Sequence, residues 1–390
     1  MLRTLPTFPV PLGTYTVGLT EMSFLDLSRK GLFDFAPDEF REIPVLIFYP
    51  ADSDHERPPA TYSFKEEAER FKKETKGLVS ARNHLIRLSA YRNIPISTRQ
   101  SEYPVLLFNH GYAGHLMQNT VLCSDLASRG YLVVSVGHPY ESGTLRYPDG
   151  RKVPVNPSLS EDITQTLRSR MPQFKAMQKK TFNDAEIGPA AADFYRNFKS
   201  TKVWEHVRIW ADDNRFVADK LEQLNEGTLP SLFTGKLKLG SGIGAIGHSY
   251  GGCAASQACL DDARFVCGIN LDAPTYGDYG DRDMGKPFMI LGSELMEWLA
   301  RPHFLANSGD AYLVIVEGTK HMDFTDLIFY AGHLKWLNLL GRRNPMQLRE
   351  IISGYTLAFF DRYLQPNGSA GIEMPTFDKV RVRMKKAAAD

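Results

Sequence analysis

The chain has 390 residues, of which 43% are hydrophobic and 23% charged, and its 46 Lys and Arg against 45 Asp and Glu leave a formal charge of +1. This length and apolar content supply a large core, as one domain with insertions or as two of average size. The balanced charge, with no long block of one sign, leaves no electrostatic footprint for nucleic acid and argues against a polyanionic partner.

The opening, MLRTLPTFPVPLGTY, carries one Arg, early prolines and no uninterrupted apolar run. It therefore reads as neither a signal peptide nor a membrane span. The expected protein is soluble, cytoplasmic if the chain is complete and secreted if a leader has been removed. Nothing in the sequence sets its oligomeric state.

Seven short apolar runs follow in order: IPVLIFYP, YPVLLFNHG, YLVVSVGH, GIGAIG, FVCGINLD, PFMILGSE and AYLVIVEG. Each leads through Gly, Pro or polar turn residues into helix-like sequence. That alternation predicts a mostly parallel central sheet with helices on both faces. No repeat period and no low-complexity linker divides the chain, so residues 1–390 read as one domain.

Two helical insertions interrupt the alternation, at about 51–102 and about 141–236. The first carries FKEEAERFKKETKGLVSARNHLIRLSAY, and the second QTLRSRMPQFKAMQKK and VWEHVRIWADDNRFVADKLEQL. In the latter, Val207, Trp210, Phe216 and Leu221 recur at roughly helical steps, which predicts an ordinary packing face. The sharper alternative for either insertion is a lid over the site or a peripheral contact with a lipid surface. The four cysteines, Cys123, Cys253, Cys259 and Cys267, have no C-x-x-C spacing and sit among small or apolar neighbours, as packing thiols do. No His stands near them at ligand spacing, so no metal site is expected.

Residues 242–252, GIGAIGHSYGG, satisfy two incompatible motifs. Gly242, Gly244 and Gly247 fit the G-x-G-x-x-G turn of dinucleotide folds, while Gly247, Ser249 and Gly251 fit the G-x-S-x-G nucleophile elbow. The first reading makes LKLG the strand and buries Gly251 and Gly252 inside a helix, at about 1 kcal/mol each relative to Ala. It also wants an acid about 20 residues on, whereas Asp272 lies 30 past Gly242 and 25 past Gly247. The second makes IGAI the strand, starts the helix near Gly251, and uses the glycines where strand and helix nearly touch. The turn then lifts the Ser249 hydroxyl clear of the sheet.

A serine hydroxyl is a poor nucleophile at neutral pH, so it needs a base, and the base needs an acid to hold its tautomer. On an α/β-hydrolase fold these follow in the order Ser, Asp or Glu, His at successive strand ends. Asp272 ends FVCGINLD, 23 residues after Ser249, and His321 follows AYLVIVEG, 49 residues further. The oxyanion of the intermediate calls for two N–H donors. These are the main-chain groups of Tyr250, behind the serine, and of Tyr112, in the turn after YPVLLFNHG. The chemistry calls for no cofactor and no metal.

Among the other histidines, His248 and His110 read as structural, and His138 as a residue that could line the site. His303 and His333 have helix-like surroundings, and His55, His84, His115 and His206 lie in polar or inserted segments. Rival acids are Asp278, Asp281 and Asp283, read as a solvated loop with no Ca²⁺ register, and Asp323 and Asp326, of which Asp323 is too close in sequence to His321.

On these residues the sequence resembles the platelet-activating factor acetylhydrolase family, plasma and isoform II types. The likeness runs through PLGTYTVGLTEMSF, VLIFYPAD, PVLLFNHGYAGH, SDLASRGYLVVSVGHPY, IGAIGHSYGG, DDARFVCGINLDAPTYGD, PFMILGSE and GTKHMDFTD. It implies the same roles: Ser249 as nucleophile, Asp272 as acid, His321 as base, and the Tyr112 and Tyr250 N–H groups as the oxyanion hole. It adds Ca²⁺-independence and a small-molecule or lipid ester substrate with a short acyl group, such as a platelet-activating-factor-like phospholipid. Tyr250 stands where animal enzymes usually carry Phe, and Tyr112 where they carry an aliphatic residue, which implies a differently shaped or polarised acyl pocket. A broad esterase on xenobiotic or polymeric esters, and an acyltransferase on the same fold, are the alternatives.

Overall fold

The computed structural model describes residues 7–52, 57–365 and 373–387. The first six residues of the opening segment, and His55, lie outside them. In chain order the first half runs β1 (Thr16–Lys30), β2 (Phe40–Ala51), β3 (Pro59–Thr61), α1 (Lys65–Glu74), β4 (Arg87–Arg92), β5 (Tyr103–Asn109), α2 (Thr120–Ser128) and β6 (Leu132–Val136). A ribbon of β7 (Leu145–Arg146) and β8 (Lys152–Val153) then leads to three helices, α3 (Pro157–Gln178), α4 (Asp184–Arg196) and α5 (Lys202–Glu226). The rest is β9 (Leu237–His248), α6 (Tyr250–Asp261), β10 (Phe265–Leu271), β11 (Phe288–Ser293), α7 (Glu297–Ala306), β12 (Ala311–Val316), α8 (Leu327–Tyr330), α9 (Pro345–Leu364) and β13 (Val380–Lys385).

Eleven strands form one sheet in the order β13-β12-β11-β10-β9-β5-β6-β2-β1-β4-β3. Its middle, from β12 to β6, is parallel throughout. Each central strand is buried on both faces, because successive side chains point to opposite sides. Val105 and Leu107 of β5 join one apolar core with α4, α5, α6 and α7. Leu106 and Phe108 join the other with α2 and α9. All seven apolar runs form strands, and helices cover both faces of the sheet as expected for an α/β-hydrolase. No helix among the described residues is long and apolar enough to cross a membrane.

The first insertion differs from the helical expectation. Only Lys65–Glu74 is α-helix; Ala81–Leu85 is a 3-10 turn, and Arg87–Arg92 is a strand paired in parallel with β1. The reason lies in the local pattern: Ile86, Leu88 and Ala90 are buried at every second position, a period that only a strand can bury on one side. The strand β9 also extends beyond IGAI. It starts at Leu237 and bulges before Ile243, with Gly242 at φ 84, so LKLG and IGAI belong to one irregular strand.

The packing face of α5 carries Val207, Trp210 and Leu221 fully buried, with Phe216 at its edge. The same helix buries Asp213, whose carboxylate accepts both the Nε and Nη2 hydrogen bonds of Arg41 at 2.6 Å. This pair fastens the second insertion to β2 beneath the site. The four cysteines are all buried.

Candidate active site

The chain leaves β9 at His248, turns at Ser249 and enters α6 at Tyr250. Ser249 adopts φ 55 and ψ −125, a backbone conformation that costs a non-glycine residue about 1–3 kcal/mol. The flanking glycines make this turn fit. A Cβ on Gly247 would stand 2.1 Å from the Gly251 carbonyl oxygen, and one on Gly251 would stand 2.3 Å from that of Asn109. The turn therefore wedges the start of α6 against β5 and leaves Ser249 half-buried at the sheet's edge.

Asp272 follows β10, also at positive φ (50), with its N–H donating to the Leu291 carbonyl. His321 opens a 3-10 turn after β12. The three side chains form one chain of hydrogen bonds: His321 Nδ1 is 2.7 Å from Asp272 Oδ2, and His321 Nε2 is 2.8 Å from Ser249 Oγ. A carboxylate can only accept, so Nδ1 carries the proton and Nε2 is left to accept from the serine hydroxyl. Asp272 is buried, while the His321 side chain remains 29% exposed. Burial alone would push the Asp272 carboxyl up; hydrogen bonds from His321 and Ser293 outweigh it and hold the group below the usual carboxylate range.

Ser293, at the end of β11, has no motif to mark it. Its N–H and its hydroxyl both donate to Asp272 Oδ1, at 2.6 and 2.7 Å, so Oδ2 faces His321 undisturbed. The only sequence signal is its place at the strand end in PFMILGSE. Ser293→Ala removes one charge-assisted hydrogen bond and keeps the other, worth about 1.5–3 kcal/mol. The expected result is a fall of roughly 10- to 100-fold in kcat for ester hydrolysis with KM little changed. A variant with wild-type kcat would show that the Asp272 carboxylate needs no such support.

Tyr112 sits in the turn after β5. Neither its N–H nor that of Tyr250 has a hydrogen-bond partner among the described residues, which leaves both free to donate to a ligand. A Cβ on Gly111, just before Tyr112, would lie 3.4 Å from Ser249 Cβ, so this turn runs alongside the serine. It is fastened to the segment after β6 by Ala113 N–H to the Glu141 carbonyl at 2.8 Å and Gly143 N–H to the Gly114 carbonyl at 2.6 Å. The Tyr112 and Tyr250 rings meet edge to face at 5.6 Å, and the Tyr250 hydroxyl donates to the Val203 carbonyl at 2.8 Å. Both phenols are thus turned into packing.

Of the other histidines, His248 lies beside the site, its ring 4.7 Å from that of His321, and the rest are engaged elsewhere. His110 bonds the Gly111 carbonyl and Ser142 and is fully buried. His138, expected as a residue that could line the site, is instead buried between Asp213 and Asn109 with its ring stacked 3.7 Å from Trp210. His206 meets Glu141, His303 meets the Tyr279 carbonyl, and His333 meets that of Leu78. His84 meets the Ala81 carbonyl, and His115 packs edge-on against Tyr62. Of the rival acids, Asp278 is held by Trp204 and Arg208, Asp283 by the N–H groups of Gly285 and Ser308, and Asp281 is exposed. Asp323 accepts from the N–H groups of Lys320 and Gly341, and Asp326 from that of Val121.

A small cavity of about 100 Å³ opens beside the Tyr112 turn, between Gln118, Met322 and Tyr330. A larger one, about 470 Å³, lies between α4 and α7 and is lined by none of Ser249, Asp272 or His321. Size alone therefore does not pick out the site; the hydrogen-bond chain does.

A parallel sheet wrapped by helices, with a serine on the strained turn from a central strand into its helix, defines the class: this is an α/β-hydrolase. The family described as platelet-activating factor acetylhydrolase, isoform II, matches residues 7–370, and the chain belongs to that family of ester hydrolases. Among curated relatives, the platelet-activating factor acetylhydrolase of Cavia porcellus is 24% identical over 92% of this chain and 78% of its own. That of Gallus gallus is 24% identical over 67% of this chain, which spans 62% of the chicken protein's length. A probable 1-alkyl-2-acetylglycerophosphocholine esterase of Arthroderma benhamiae is 22% identical over 73% of this chain and 65% of its own. Among solved structures, a ferulic acid esterase from Streptomyces cinnamoneus superposes with a TM-score of 0.73 over 97% of this chain and 99% of its own, at 22% identity. That likeness concerns the fold.

Proposed function

We propose that the protein hydrolyses carboxylic esters with a short acyl group, including platelet-activating-factor-like phospholipids, through an acyl-enzyme on Ser249. The observation that carries this reading is the unbroken hydrogen-bonded chain from Asp272 through His321 to Ser249. As Ser249 Oγ attacks the carbonyl carbon, its proton passes to His321 Nε2, and Asp272 steadies the imidazolium. Negative charge builds on the former carbonyl oxygen, where the N–H groups of Tyr112 and Tyr250 receive it, aided by the positive end of α6. Collapse expels the alcohol, which takes the proton from His321. Water then enters and gives a proton to the same nitrogen as its oxygen bonds to the acyl carbon; collapse breaks the bond to Ser249 Oγ, which takes that proton back as the acid leaves. The short-acyl preference rests on the family, whose relatives carry the acetylhydrolase name.

The test is a rate series on p-nitrophenyl esters of increasing acyl length beside a phospholipid with an sn-2 acetyl group, with Ser249→Ala as control. The expected result is hydrolysis of both acetyl substrates, falling as the acyl chain lengthens. Fast cleavage of long or bulky esters with an inert phospholipid would replace this reading with a broad esterase. An acyl adduct outcompeting free acid, when an acceptor alcohol is added, would replace it with an acyltransferase.

A further inference from the structure

Beside the three residues of the proposed mechanism lies a second polar chain that the reaction as drawn does not use. The Gly111 N–H donates to Gln118 Oε1 at 3.1 Å, and Gln118 Nε2 donates to His248 Nδ1 at 3.0 Å. His248 Nε2 then donates to the main-chain carbonyl of His321 at 3.0 Å. One end of this chain is the turn that presents the Tyr112 N–H, and the other is the backbone of the residue proposed as base. We propose that Gln118 is a positioning residue which, through His248, holds the oxyanion turn and His321 in one frame. This inference rests on the reading of Ser249 and His321 given above.

Every member of the chain has only one role it can fill. The Gly111 N–H can only donate and the His321 carbonyl can only accept, so each group between them must pass the polarity on. The Gln118 amide fits in a single orientation, its nitrogen facing His248 Nδ1 and, at 3.1 Å, Asn119 Oδ1. His248 must then be neutral with its proton on Nε2. Burial, and next the neighbouring His321, lower its pKa to about 3, in keeping with that tautomer. Hydrogen bonds in such a file polarise one another.

The fit around Gln118 is close. A Cβ on Gly114 would stand 2.2 Å from its Oε1, so the turn Gly111–Gly114 is folded onto the amide. The main chain at Gln118 is stitched to the segment after His321 as well. Asp326 N–H donates to the Gln118 carbonyl at 3.1 Å, and Asn119 Nδ2 donates to the Phe324 carbonyl at 2.7 Å. The side chain of Gln118 therefore adds a link to the oxyanion turn from a residue whose backbone already belongs to the base's side of the site. A proton acceptor and an oxyanion donor act on the same tetrahedral centre, and a displacement of one against the other by about 1 Å can cost roughly 100-fold in rate.

The experiment is a double-mutant cycle with Gln118→Leu and His248→Phe, with kcat normalised to active sites titrated by a fluorophosphonate so that loss of folded protein does not count. Each single variant is expected to lose about 10- to 100-fold in kcat with KM changed less than about threefold. The double variant is expected to be no worse than the poorer single, because either cut opens the same chain. Gln118→Met is the second probe: it keeps the length of the side chain but has no donor for His248 Nδ1 and only a weak acceptor for the Gly111 N–H, and should lose kcat to a similar degree. If Gln118→Leu does not fold, Gln118→Met decides. Wild-type kcat per titrated site in either Gln118 variant, or losses that multiply in the double variant, overturns the proposal. Ser249→Ala run alongside separates the two readings: an active Ser249→Ala sinks the mechanism itself, whereas an inactive one beside a fully active Gln118 variant sinks only the positioning role.

Discussion

Ser249→Ala is expected to lower kcat/KM for p-nitrophenyl acetate roughly a millionfold and to abolish labelling by a fluorophosphonate, while the protein stays folded. Alanine removes only Oγ, so the base and acid remain paired with nothing to activate, and the residual rate comes from oxyanion donors and substrate binding. The backbone adds a second expectation. Ser249 holds φ 55 because β5, β9 and α6 over-determine the turn, and glycine adopts that region without strain. Ser249→Gly should therefore be as inactive as the alanine variant yet melt higher, by the equivalent of about 1 kcal/mol. Circular dichroism melts of the three proteins check this; a glycine variant melting below wild type would mean that the serine turn stores no strain.

A large loss of stability is also expected in mild acid. His110, His248 and His303 are buried. Burial lowers all three, His248 to about 3 with further help from His321 and His303 to about 4, and His110 falls well below its usual value. The sign follows from linkage. These groups are neutral in the fold at pH values where the unfolded chain, with a histidine pKa near 6.5, binds protons, so stability falls as pH drops below about 6.5 and levels off only below the folded values. At pH 4.5 His248 and His303 each cost on the order of 2–3 kcal/mol, and His110 adds in the same direction. Asp326 acts in the opposite direction, because burial raises its carboxyl well above 3.8 and only the unfolded chain ionises there. Asp323 and Asp361, raised less by burial, add to that offset. The histidines outweigh the carboxylates, so the balance is a net loss of stability between pH 7.5 and 4.5, from a typical total of about 5–15 kcal/mol. Urea midpoints at the two pH values measure it, and a midpoint equal or higher at pH 4.5 would exclude buried neutral histidines as the dominant groups.

Residues close together along the chain and bound by local sterics are legible in the sequence alone. The crowding of Gly247, Ser249 and Gly251 is written in a strand-to-helix turn of five residues, and Asp272 and His321 stand at the ends of runs whose apolar character already marks them as central strands. β1 and β4 are not legible in this way. β1 spans TVGLTEMSFLDLSRK, where polar and apolar residues mix without a clean period. β4 continues directly from a helical stretch, and the alternation that leads into it, Ile86, Leu88 and Ala90, is masked by the helical pattern before it.

What the sequence by itself determined is the class of chemistry: a strand, a glycine-bound serine, and an acid and a histidine at later strand ends, in an order and spacing that a parallel sheet brings to one edge. These are consequences of short-range sterics and of the two-residue period of strands, both of which act along the chain. Only the tertiary structure decided which groups hold that edge in place. Ser293 meets Asp272 across neighbouring strands, and Gln118 spans from the turn at Gly111 to His248, 130 residues away. Arg41 closes on Asp213 across 172 residues. A hydrogen bond requires approach to about 3 Å with one donor facing one acceptor, and neither condition leaves a mark in the local pattern of residues so far apart.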